Sequence, residues 1–489
     1  TSWEEFAKGC VTDLMKEYYC WINLNGITGY RAYVAETCFE FGGKKATVDA
    51  LEYITQTDVI WPWLLYLRIK PNRENEEHIK RVMNHLPAWH DPKRHVIHNG
   101  FDGKFSENGT KVAPEKIGDS WYFFENGLIK TAWIAYLTED QKLQEIFLDA
   151  CMAAIKYAHN VAYDFPVFYY SDTLVPFTEK GLSFEYGAAG LYSYAMILAH
   201  KFTAEKEYLR ESENALRKMH RHDVNSLCYE PQFFSFAALA AHNLYRLLHE
   251  ETYLRYTRDF LNAELKMMYW YDDKTERAMS NYNTKGLFRA CPPYPAYKEN
   301  IEAVVPWTTI FAQYLPNDAF LKVLNLARTN NFHHFSLCLP TSIQPPSDSP
   351  CKYIPYENLH MLEDDWPPGW IGKEIYGAGE TLWMYLMFEA LGYTSDWDIL
   401  TLNTDLLDLD RIKQFPHFEK RFILYNPKET RKKFDFQVKA LSPSFYKLVL
   451  QNRDKETIDE KRVKVNNDSL ILEINLEPKS FIYCNVNKI

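Results

Sequence analysis

The residues with the clearest capacity for chemistry are acids that stand beside aromatic rings. Asp119 is followed by Trp121, and Glu185 is followed directly by Tyr186. Acids that share an aromatic-lined cavity can divide acid and base roles, because burial and mutual repulsion raise the pKa of some of them. Cleavage of a glycosidic bond needs such a pair, one acid to protonate the leaving oxygen and one base to activate water.

An acidic loop at residues 363–370 is the most distinctive stretch, with the sequence Glu-Asp-Asp-Trp-Pro-Pro-Gly-Trp. Proline restricts the backbone, so the acids can be held in place without a helix or strand. Asp365 is the candidate acid or base of this loop, and the indoles of Trp366 and Trp370 are candidate platforms for sugar rings. A proline-rich surface loop with an acidic exterior is the alternative interpretation.

Each acid also has a purely structural interpretation, because Asp and Glu favour the first turn of a helix as caps and through the helix dipole. Acids nevertheless stand at every predicted opening of a buried helix, which favours a common funnel. The predicted catalytic residues are Asp365, Glu185 and Asp119, with the acid and base roles left open. The predicted substrate-binding residues are Trp366, Trp370, Trp121, Tyr186, Glu302 and His95.

Histidines concentrate between residues 85 and 98, but no pair has the His-x-x-x-His spacing of a zinc enzyme. For His95, hydrogen bonding to a substrate at the rim and an ordinary surface role are both open. The sequence contains no phosphate-binding glycine loop, no dinucleotide fingerprint and no nucleophile elbow. We therefore expect no metal site and no cofactor.

Helices must position these residues, because helical periodicity dominates the first 400 residues. Trp121–Leu137 is apolar nearly all round, whereas the following segment, Asp140–His159, has a single apolar stripe. Buried helices of the first kind are predicted to begin near residues 58, 120, 185, 232, 300 and 374. Amphipathic partners follow the first five, and the N-terminal helix Trp3–Cys20 can pair with the last. The runs at 187–190 and 377–379 contain only Gly and Ala, which indicates close contact between helices.

These helices predict a mainly α chain that forms an (α/α)6 toroid over residues 1–412, because an all-apolar helix needs cover on every side. From residue 413 the pattern changes to short alternating segments, such as Phe434, Phe436 and Val438, separated by turn residues. This pattern predicts a small C-terminal antiparallel β-sandwich over residues 413–489.

The composition of the 489 residues narrows the possible partners. The net charge is −10, which argues against a nucleic-acid backbone as partner. No run of about 18 apolar residues occurs, so we expect no membrane span. Aromatic residues make up 16% of the chain, which indicates either unusually aromatic packing or a cleft walled with rings.

Nine cysteines without a Cys-x-x-Cys pair predict reduced, buried thiols. Unpaired thiols slightly favour the cytoplasm, but the compartment stays open. A signal peptide removed before Thr1 would be consistent with a secreted or periplasmic protein. The sequence does not determine the oligomeric state.

This organisation resembles the six-hairpin (α/α)6-toroid carbohydrate-active enzymes, which include glycoside hydrolases and polysaccharide lyases. The resemblance covers about residues 1–410 and rests on the hairpin repeat, the aromatic richness, and the acids Asp119, Glu185 and Asp365. The run 379–384 is similar to a Gly-Ala-Thr-Thr-x-Trp-Glu segment of some toroid hydrolases, but Met384 replaces the acid, so no catalytic role is transferred. The resemblance implies a carbohydrate substrate, and the leading hypothesis is an inverting glycoside hydrolase acting on an oligo- or polysaccharide.

Other activities remain open on the same fold. A polysaccharide lyase would use a Tyr or His base beside a uronate whose carboxyl group is neutralised by Asn, His or Arg. Its candidate residues are Tyr169, Tyr170, His95, Arg289 and Asn300. A sugar epimerase or isomerase and a non-catalytic glycan-binding protein are further alternatives.

Overall fold

The computed structural model describes most of the chain. Outside the described residues lie 1, 25, 36–37, 42–43, 48–50, 103–112, 115, 178–186, 224–229, 273–282, 290–294, 315–317, 343–348, 357–372 and 418. Within the described part, no helix combines the length and the apolar character needed to cross a bilayer.

Helices account for most of the first 390 residues, as the sequence predicts. In chain order they are α1 (Trp3–Leu14), α2 (Tyr53–Ile69), α3 (Arg73–Met83), α4 (Ser120–Tyr122), a π-helix (Phe123–Lys130), α5 (Thr131–Thr138), α6 (Gln141–Val161), α7 (Ala188–Thr203), α8 (Lys206–His220), α9 (Gln232–Leu248), α10 (Glu251–Glu264), α11 (Tyr297–Glu302), α12 (Trp307–Gln313), α13 (Asp318–Cys338), α14 (Tyr376–Phe388) and α15 (Leu409–Ile412). Single 3-10 turns occur at Leu86–Trp89 and Leu265–Met267. Segment α4, the π-helix and α5 follow one another without a break, and we call this continuous segment the α4–α5 rod.

Strands form small antiparallel sheets between the helices and larger ones at the C-terminus. They are β1 (Trp21–Leu24), β2 (Ile27–Tyr30), β3 (Cys38–Phe41), β4 (Lys44–Thr47), β5 (His90–Asp91), β6 (Val96–Ile97), β7 (Phe101–Asp102), β8 (Ala113–Pro114), β9 (Ile117–Asp119), β10 (Phe168–Tyr170), β11 (Val175–Pro176), β12 (Gly392–Tyr393), β13 (Leu400–Asn403), β14 (Lys420–Asn426), β15 (Lys432–Val438), β16 (Ser444–Gln451), β17 (Thr457–Val465), β18 (Leu470–Leu476) and β19 (Ser480–Lys488).

Two sets of helices differ in burial. We call α2, the α4–α5 rod, α7, α9, α11 with α12, and α14 the core helices. Each core helix contacts the next in this order, and α14 returns to contact α2. A flanking helix packs against each one: α3 on α2, α6 on the rod, α8 on α7, α10 on α9, α13 on α11, and α1 on α14. The predicted pairing of the N-terminal helix with the last core helix is therefore confirmed, and the Glu389 carboxylate accepts the backbone N–H groups of Trp3 (3.2 Å) and Glu4 (2.9 Å).

Helix ends differ from the predicted ones where polar residues are buried or the backbone changes direction. Helix α2 begins at Tyr53, five residues before the predicted start near residue 58, and Gln56 in its first turn finds partners inside the protein. Its side-chain amide accepts from the backbone N–H of Tyr30 (2.7 Å) and donates to the carbonyl of the same residue (2.8 Å). Helix α1 ends at Leu14 rather than Cys20, and Tyr18 adopts a positive φ of 71° that a helix excludes.

Glycine marks two places where core helices touch, as the Gly/Ala runs predict. A Cβ atom on Gly379 of α14 would press against the carbonyl group of Asp58 on α2, 2.8 Å from its carbon atom. A Cβ atom on Gly190 of α7 would lie 2.6 Å from the Cβ of Ala237 on α9. Helices approach this closely only where no side chain separates them.

The C-terminal strands form two antiparallel sheets, one with the order β13-β14-β19-β16-β17 and one with the order β12-β15-β18. Alternation in β15 buries Phe434, Phe436 and Val438, as the sequence predicts. Phe436 packs edge-on against Phe422 of the other sheet at a centroid distance of 5.0 Å. Strands β12 and β13 precede residue 413 and pair with β15 and β14, so the helical part of the chain contributes to both sheets.

The thiols follow the sequence prediction within the described part of the chain. The cysteines found buried there are Cys10, Cys20, Cys151, Cys338, Cys351 and Cys484.

Replacing Gly379 by Ala tests the contact between α14 and α2. We expect a loss of about 1–3 kcal/mol or more in the free energy of unfolding, because the added methyl group meets backbone that cannot rotate away. Urea denaturation measures this loss. Gly100→Ala is the control, since a Cβ there meets nothing within 4 Å. Equal stability of the two variants would contradict the proposed packing.

Candidate functional site

The first functional side chain lies where a short strand enters a core helix. Strand β9 ends at Asp119, which caps the α4–α5 rod: its Oδ1 accepts the backbone N–H groups of Trp121 (2.8 Å) and Tyr122 (3.4 Å). Strand β9 pairs with β10 and places Asp119 opposite Phe168. Both described side-chain hydrogen bonds of Asp119 end on Oδ1.

Asp119 has the electrostatic setting of a proton donor. Desolvation raises the pKa of its carboxyl group to about 7, although the two backbone N–H groups act in the opposite direction. The residue is only half-buried, so the carboxyl group is held in a poorly solvated setting without being sealed off. A carboxylic acid with this pKa is partly protonated at neutral pH and can deliver a proton there.

Trp121 links this acid to the interior of the protein. Its indole Nε1 donates to Glu125 Oε2 at 2.5 Å, one helical turn further along the rod. Its ring contacts Tyr122 (5.1 Å between centroids) and Phe233 of α9 (6.0 Å). Trp121 is 6% exposed, so most of this ring packs against its neighbours.

A group of buried charges lies below Trp121, and we call it the buried charge cluster. Each member is at most 3% exposed. The members are Asp58 of α2, Glu125 and Lys130 of the π-helix, Lys298 and Glu302 of α11, and Glu380 of α14. The cluster therefore joins four core helices.

Asp58 and Glu302 bind both lysines. Asp58 accepts hydrogen bonds from Lys130 through Oδ1 and from Lys298 through Oδ2 (2.6 Å). Glu302 Oε1 pairs with Lys130 and lies 2.7 Å from the ammonium group of Lys298. Asn126 supports the arrangement by donating to Asp58 Oδ1 at 2.7 Å. These contacts fix both ammonium groups in place.

Burial and neighbouring charge set the protonation states in the cluster. Desolvation is the largest cause that raises the pKa of Glu302, and the charge of Glu125 is the second. For Glu380, desolvation and then the charge of Glu302 raise the pKa well above its ordinary value. Desolvation also acts to raise the pKa of Glu125, but Lys130 and Lys298 outweigh it and lower that pKa.

Three carboxyl groups of the cluster could also serve as metal ligands. Oxygen atoms of Asp58, Glu302 and Glu380 lie within 4.8 Å of one another, and oxygen is the donor that Mg²⁺ and Ca²⁺ prefer. Lys130 and Lys298 already contact the Asp58 and Glu302 carboxylates, however, and their positive charges would repel a cation placed there. The described residues fit ion pairing better than metal binding.

Two aromatic rings lie against the buried charge cluster. The ammonium group of Lys298 lies 5.9 Å from the centroid of the Trp121 ring and 5.5 Å from that of Tyr376 on α14. Gln232 lies nearby at the start of α9, fully buried, and its two side-chain polar atoms have no hydrogen-bond partner among the described residues. The polar interior at this end therefore extends beyond the ion pairs.

The nine predicted site residues fall into three groups: those at or connected to the buried charge cluster, those outside the described residues, and His95. Asp119 and Trp121 lie together as described above, and Glu302 lies in the buried charge cluster, which Trp121 reaches through Glu125. Glu185, Tyr186, Asp365, Trp366 and Trp370 lie outside the described residues. The sequence prediction for these five is therefore untested.

His95 lies on a different surface, next to α6. Its ring Nδ1 is 2.8 Å from Asp149 Oδ1, and His90 Nε2 is 2.7 Å from Asp149 Oδ2. With Lys93, Lys156 and Asp172 it lines an open groove of about 540 Å³. The described contacts connect His95 to α6 rather than to the buried charge cluster.

The candidate lyase residues are dispersed and mostly committed to structure. Tyr169 is buried and stacks on Tyr157 at 4.6 Å, whereas Tyr170 is exposed. Asn300 accepts from the backbone N–H of Phe288 (2.6 Å) and donates to the carbonyl of the same residue (2.9 Å), which ties down a loop. Arg289 is exposed.

Sequence reasoning missed Glu125, Lys130, Lys298 and Glu380 as functional candidates. The available signal was a charged residue inside a helix that is otherwise apolar, as with Lys130 in the segment Trp121–Leu137. Such a residue must be paired, because an isolated buried charge is too costly. The pattern cannot name the partners, since they come from helices far apart in the sequence.

Solved structures with a similar fold are carbohydrate-active enzymes. A family 76 glycoside hydrolase (mannosidase) from Bacteroides thetaiotaomicron has a TM-score of 0.51 and 11% identity, covering 79% of this chain and 97% of the other. A family 76 glycoside hydrolase from a bovine Bacteroides thetaiotaomicron strain also has a TM-score of 0.51 and 11% identity, with coverages of 79% and 77%. Cellobiose 2-epimerase from Bacillus thermoamylovorans has a TM-score of 0.50 and 7% identity, with coverages of 78% and 98%.

These likenesses concern the fold, because the identities are low. The predicted resemblance to the (α/α)6-toroid carbohydrate-active enzymes is confirmed at that level. No protein-family model matches the sequence, and no curated protein does.

Replacing Lys298 by Met tests the buried charge cluster. We expect a loss of about 3–5 kcal/mol in the free energy of unfolding, because the Asp58 and Glu302 carboxylates lose a buried partner. The loss should shrink as the pH falls and the carboxyl groups take up protons. Urea unfolding at several pH values measures both effects.

Lys201→Met is the matched control, since Lys201 pairs with the exposed Asp410 at 2.6 Å. A surface pair of this kind contributes about 0–1 kcal/mol. If Lys298→Met were no more destabilising than Lys201→Met, the cluster would not hold the core helices together.

Proposed function

We propose that the chain is a glycoside hydrolase built on an (α/α)6 toroid of residues 1–412, with an accessory β-sandwich of residues 413–489. The unbroken series of contacts from α2 through α14 and back to α2 supports the toroid. Packing between Phe422 and Phe436, which belong to different sheets, supports the sandwich. Strands β12 and β13 attach the sandwich to the toroid.

The observation that carries the proposal is the position and pKa of Asp119. Asp119 lies at the beginning of a core helix, beside Trp121 and Tyr122, and desolvation raises the pKa of its carboxyl group to about 7. An acid that is partly protonated at neutral pH and lies beside aromatic rings suits proton donation to a glycosidic oxygen. We assign Asp119 the role of general acid.

The proposed base is Glu185 or Asp365, which precede α7 and α14. Helix α7 contacts α4, the helix that Asp119 caps, which supports a position for Glu185 near Asp119. In the proposed reaction the bond between the anomeric carbon and the glycosidic oxygen breaks, and the leaving oxygen takes the Asp119 proton. The base removes a proton from water, whose oxygen bonds to the anomeric carbon from the opposite side, so that the configuration inverts.

The remaining predicted residues divide into sugar platforms and supporting groups. Tyr186, Trp366 and Trp370 are the proposed platforms, with Trp121 forming the wall behind them. Glu302 is 3% exposed, so we propose that it acts through the buried charge cluster rather than by touching the sugar. His95 is a proposed rim contact beside α6.

Replacing each acid by its amide tests the catalytic assignment. The variants are Asp119→Asn, Glu185→Gln and Asp365→Asn, and the release of reducing ends from manno- and cello-oligosaccharides measures their hydrolysis. We expect Asp119→Asn to lower kcat by about 10²–10⁴-fold. Asp140→Asn is the matched control, because Asp140 caps α6 by accepting from Leu143 N–H at 3.0 Å. Full activity of Asp119→Asn would contradict the role of Asp119, and full activity of all three variants would contradict the hydrolase proposal.

Product analysis that includes a uronate-containing polysaccharide separates the alternatives on this fold. A lyase would generate an unsaturated product that absorbs ultraviolet light, and an epimerase would change the configuration of the sugar without new reducing ends. Either product in place of hydrolysis would replace the proposed reaction.

The pH dependence follows from the raised pKa of Asp119. Because the protonated acid is the active form, kcat/KM should fall as the pH rises through about 7. The folded state also keeps a proton that the unfolded chain releases near pH 4, so Asp119 should lower the stability progressively as the pH rises from about 4 to about 7. Asp119→Asn should remove this stability term, which pH-dependent urea unfolding measures; an unchanged pH profile would contradict the raised pKa.

A further inference from the structure

A row of exposed aromatic rings begins beside Asp119. Strand β9 pairs with β10 so that Asp119 lies opposite Phe168, and the backbone N–H of Phe177 donates to the carbonyl of Phe168 at 3.0 Å. Residues directly opposite one another in antiparallel strands have side chains on the same face. Asp119, Phe168 and Phe177 therefore form one row across the small sheet, and Tyr170 lies on the same face two residues beyond Phe168.

We call Phe168, Tyr170 and Phe177 the aromatic strip. Their exposures are 39%, 40% and 43%, whereas Tyr169, on the opposite face of β10, is 2% exposed. Core packing thus uses one face of this small sheet and leaves three large rings on the other. Large apolar rings gathered on an exposed face indicate a binding surface.

The rings form a corner rather than a flat surface. Tyr170 and Phe177 meet at a centroid distance of 5.3 Å and an interplanar angle of 78°. One ring can therefore lie under a bound group while the other stands beside it. Two strand spacings separate Asp119 from Phe177, which is about 10 Å, so the strip extends outward from the carboxyl group over a length comparable with one or two sugar rings.

The size of the strip favours a sugar over a protein partner. Three aromatic side chains of about 200 Å² each, exposed to about 40%, present roughly 250 Å² of surface. A stable protein interface needs about 800 Å² on each partner. Sugars match the smaller area, because the C–H face of the ring is apolar and stacks on aromatic rings while hydroxyl groups at its edge remain hydrated. The exposed turn between β10 and β11 offers Asp172 and Thr173 to such hydroxyl groups.

We propose that the aromatic strip binds the sugar units adjacent to the one held at Asp119, so that the substrate is a glycan chain longer than a disaccharide. This inference rests on the proposed function, because it takes Asp119 as the reacting end of the site. Continuity with Asp119 through the strand register is what assigns the strip to the same glycan chain.

The test uses the full chain with Phe168→Ala, Phe177→Ala and the double variant. Binding to soluble mannan and to soluble cellulose derivatives is measured by affinity electrophoresis, in the Asp119→Asn background. The kcat/KM values for manno- and cello-oligosaccharides of increasing length are measured without that substitution. We expect each variant to lose about three- to tenfold in polysaccharide affinity, and the loss in kcat/KM to grow with chain length.

Phe445→Ala is the matched control, because it removes a ring that is more exposed (55%) from strand β16 in the C-terminal sheets. Circular dichroism and sedimentation velocity check folding and oligomeric state. The proposal would be overturned if the losses equalled that of Phe445→Ala or did not depend on chain length. A change of oligomeric state in the strip variants, or no binding of the wild-type chain to either polysaccharide, would also overturn it.

The outcomes for the strip and for the hydrolase proposal are distinguishable. If Asp119→Asn abolishes hydrolysis while the strip variants retain wild-type affinity and chain-length dependence, the strip proposal fails and the catalytic proposal stands. If Asp119→Asn retains full activity while the strip variants lose polysaccharide affinity, the assignment of Asp119 fails and glycan binding by the strip stands.

Discussion

Two ammonium groups buried among four carboxyl groups determine how the core helices meet. Lys130 and Lys298 pair with Asp58 and Glu302 where water is excluded, so each charge must find its partner inside the protein. The groups come from α2, the α4–α5 rod, α11 and α14. A shift of any of these helices would leave a buried charge without compensation, which makes their relative positions stricter than apolar packing alone would require.

The same constraint reaches the candidate acid through one aromatic residue. Trp121 donates to Glu125 of the cluster and follows Asp119 by two residues, so the position of the carboxyl group is tied to the charges below it. Exposure to solvent increases from the buried charge cluster, through the packed ring of Trp121, to the half-buried Asp119 and the exposed aromatic strip. Burial accounts for the raised pKa at Asp119, since that carboxyl group has lost much of its water without gaining a cationic partner among the described residues.

The aromatic richness of the chain has two uses in the described structure. Most of the large rings fill the core, where Trp61 and Trp133 of neighbouring core helices lie 5.3 Å apart. A smaller number, including the aromatic strip, are exposed. Aromatic core packing is therefore confirmed, whereas a cleft walled with rings stays a prediction. Composition alone cannot divide the rings between these uses, because the same residue type serves both.

Periodicity in the sequence determined which long segments are helices and which of them are buried. Periodicity was sufficient for this because burial is a requirement of each element by itself. An apolar run such as Trp121–Leu137 must be buried, whichever parts of the chain pack against it. Asp119 and Trp121 were also within reach of sequence reasoning, since a capping acid beside an indole is a local pattern. Helix α2 began earlier than predicted because the backbone of Tyr30, remote in sequence, satisfies Gln56.

Only the tertiary structure decided which charges meet and what surrounds each of them. Lys130 and Lys298 are 168 positions apart, and both contact Asp58, which no spacing rule connects to either. The raised pKa of Asp119 and the face on which Phe168 and Phe177 lie depend in the same way on strand register and burial. Pairing and solvation are properties of neighbours in space, whereas the pattern of a sequence reports the requirements of one element at a time.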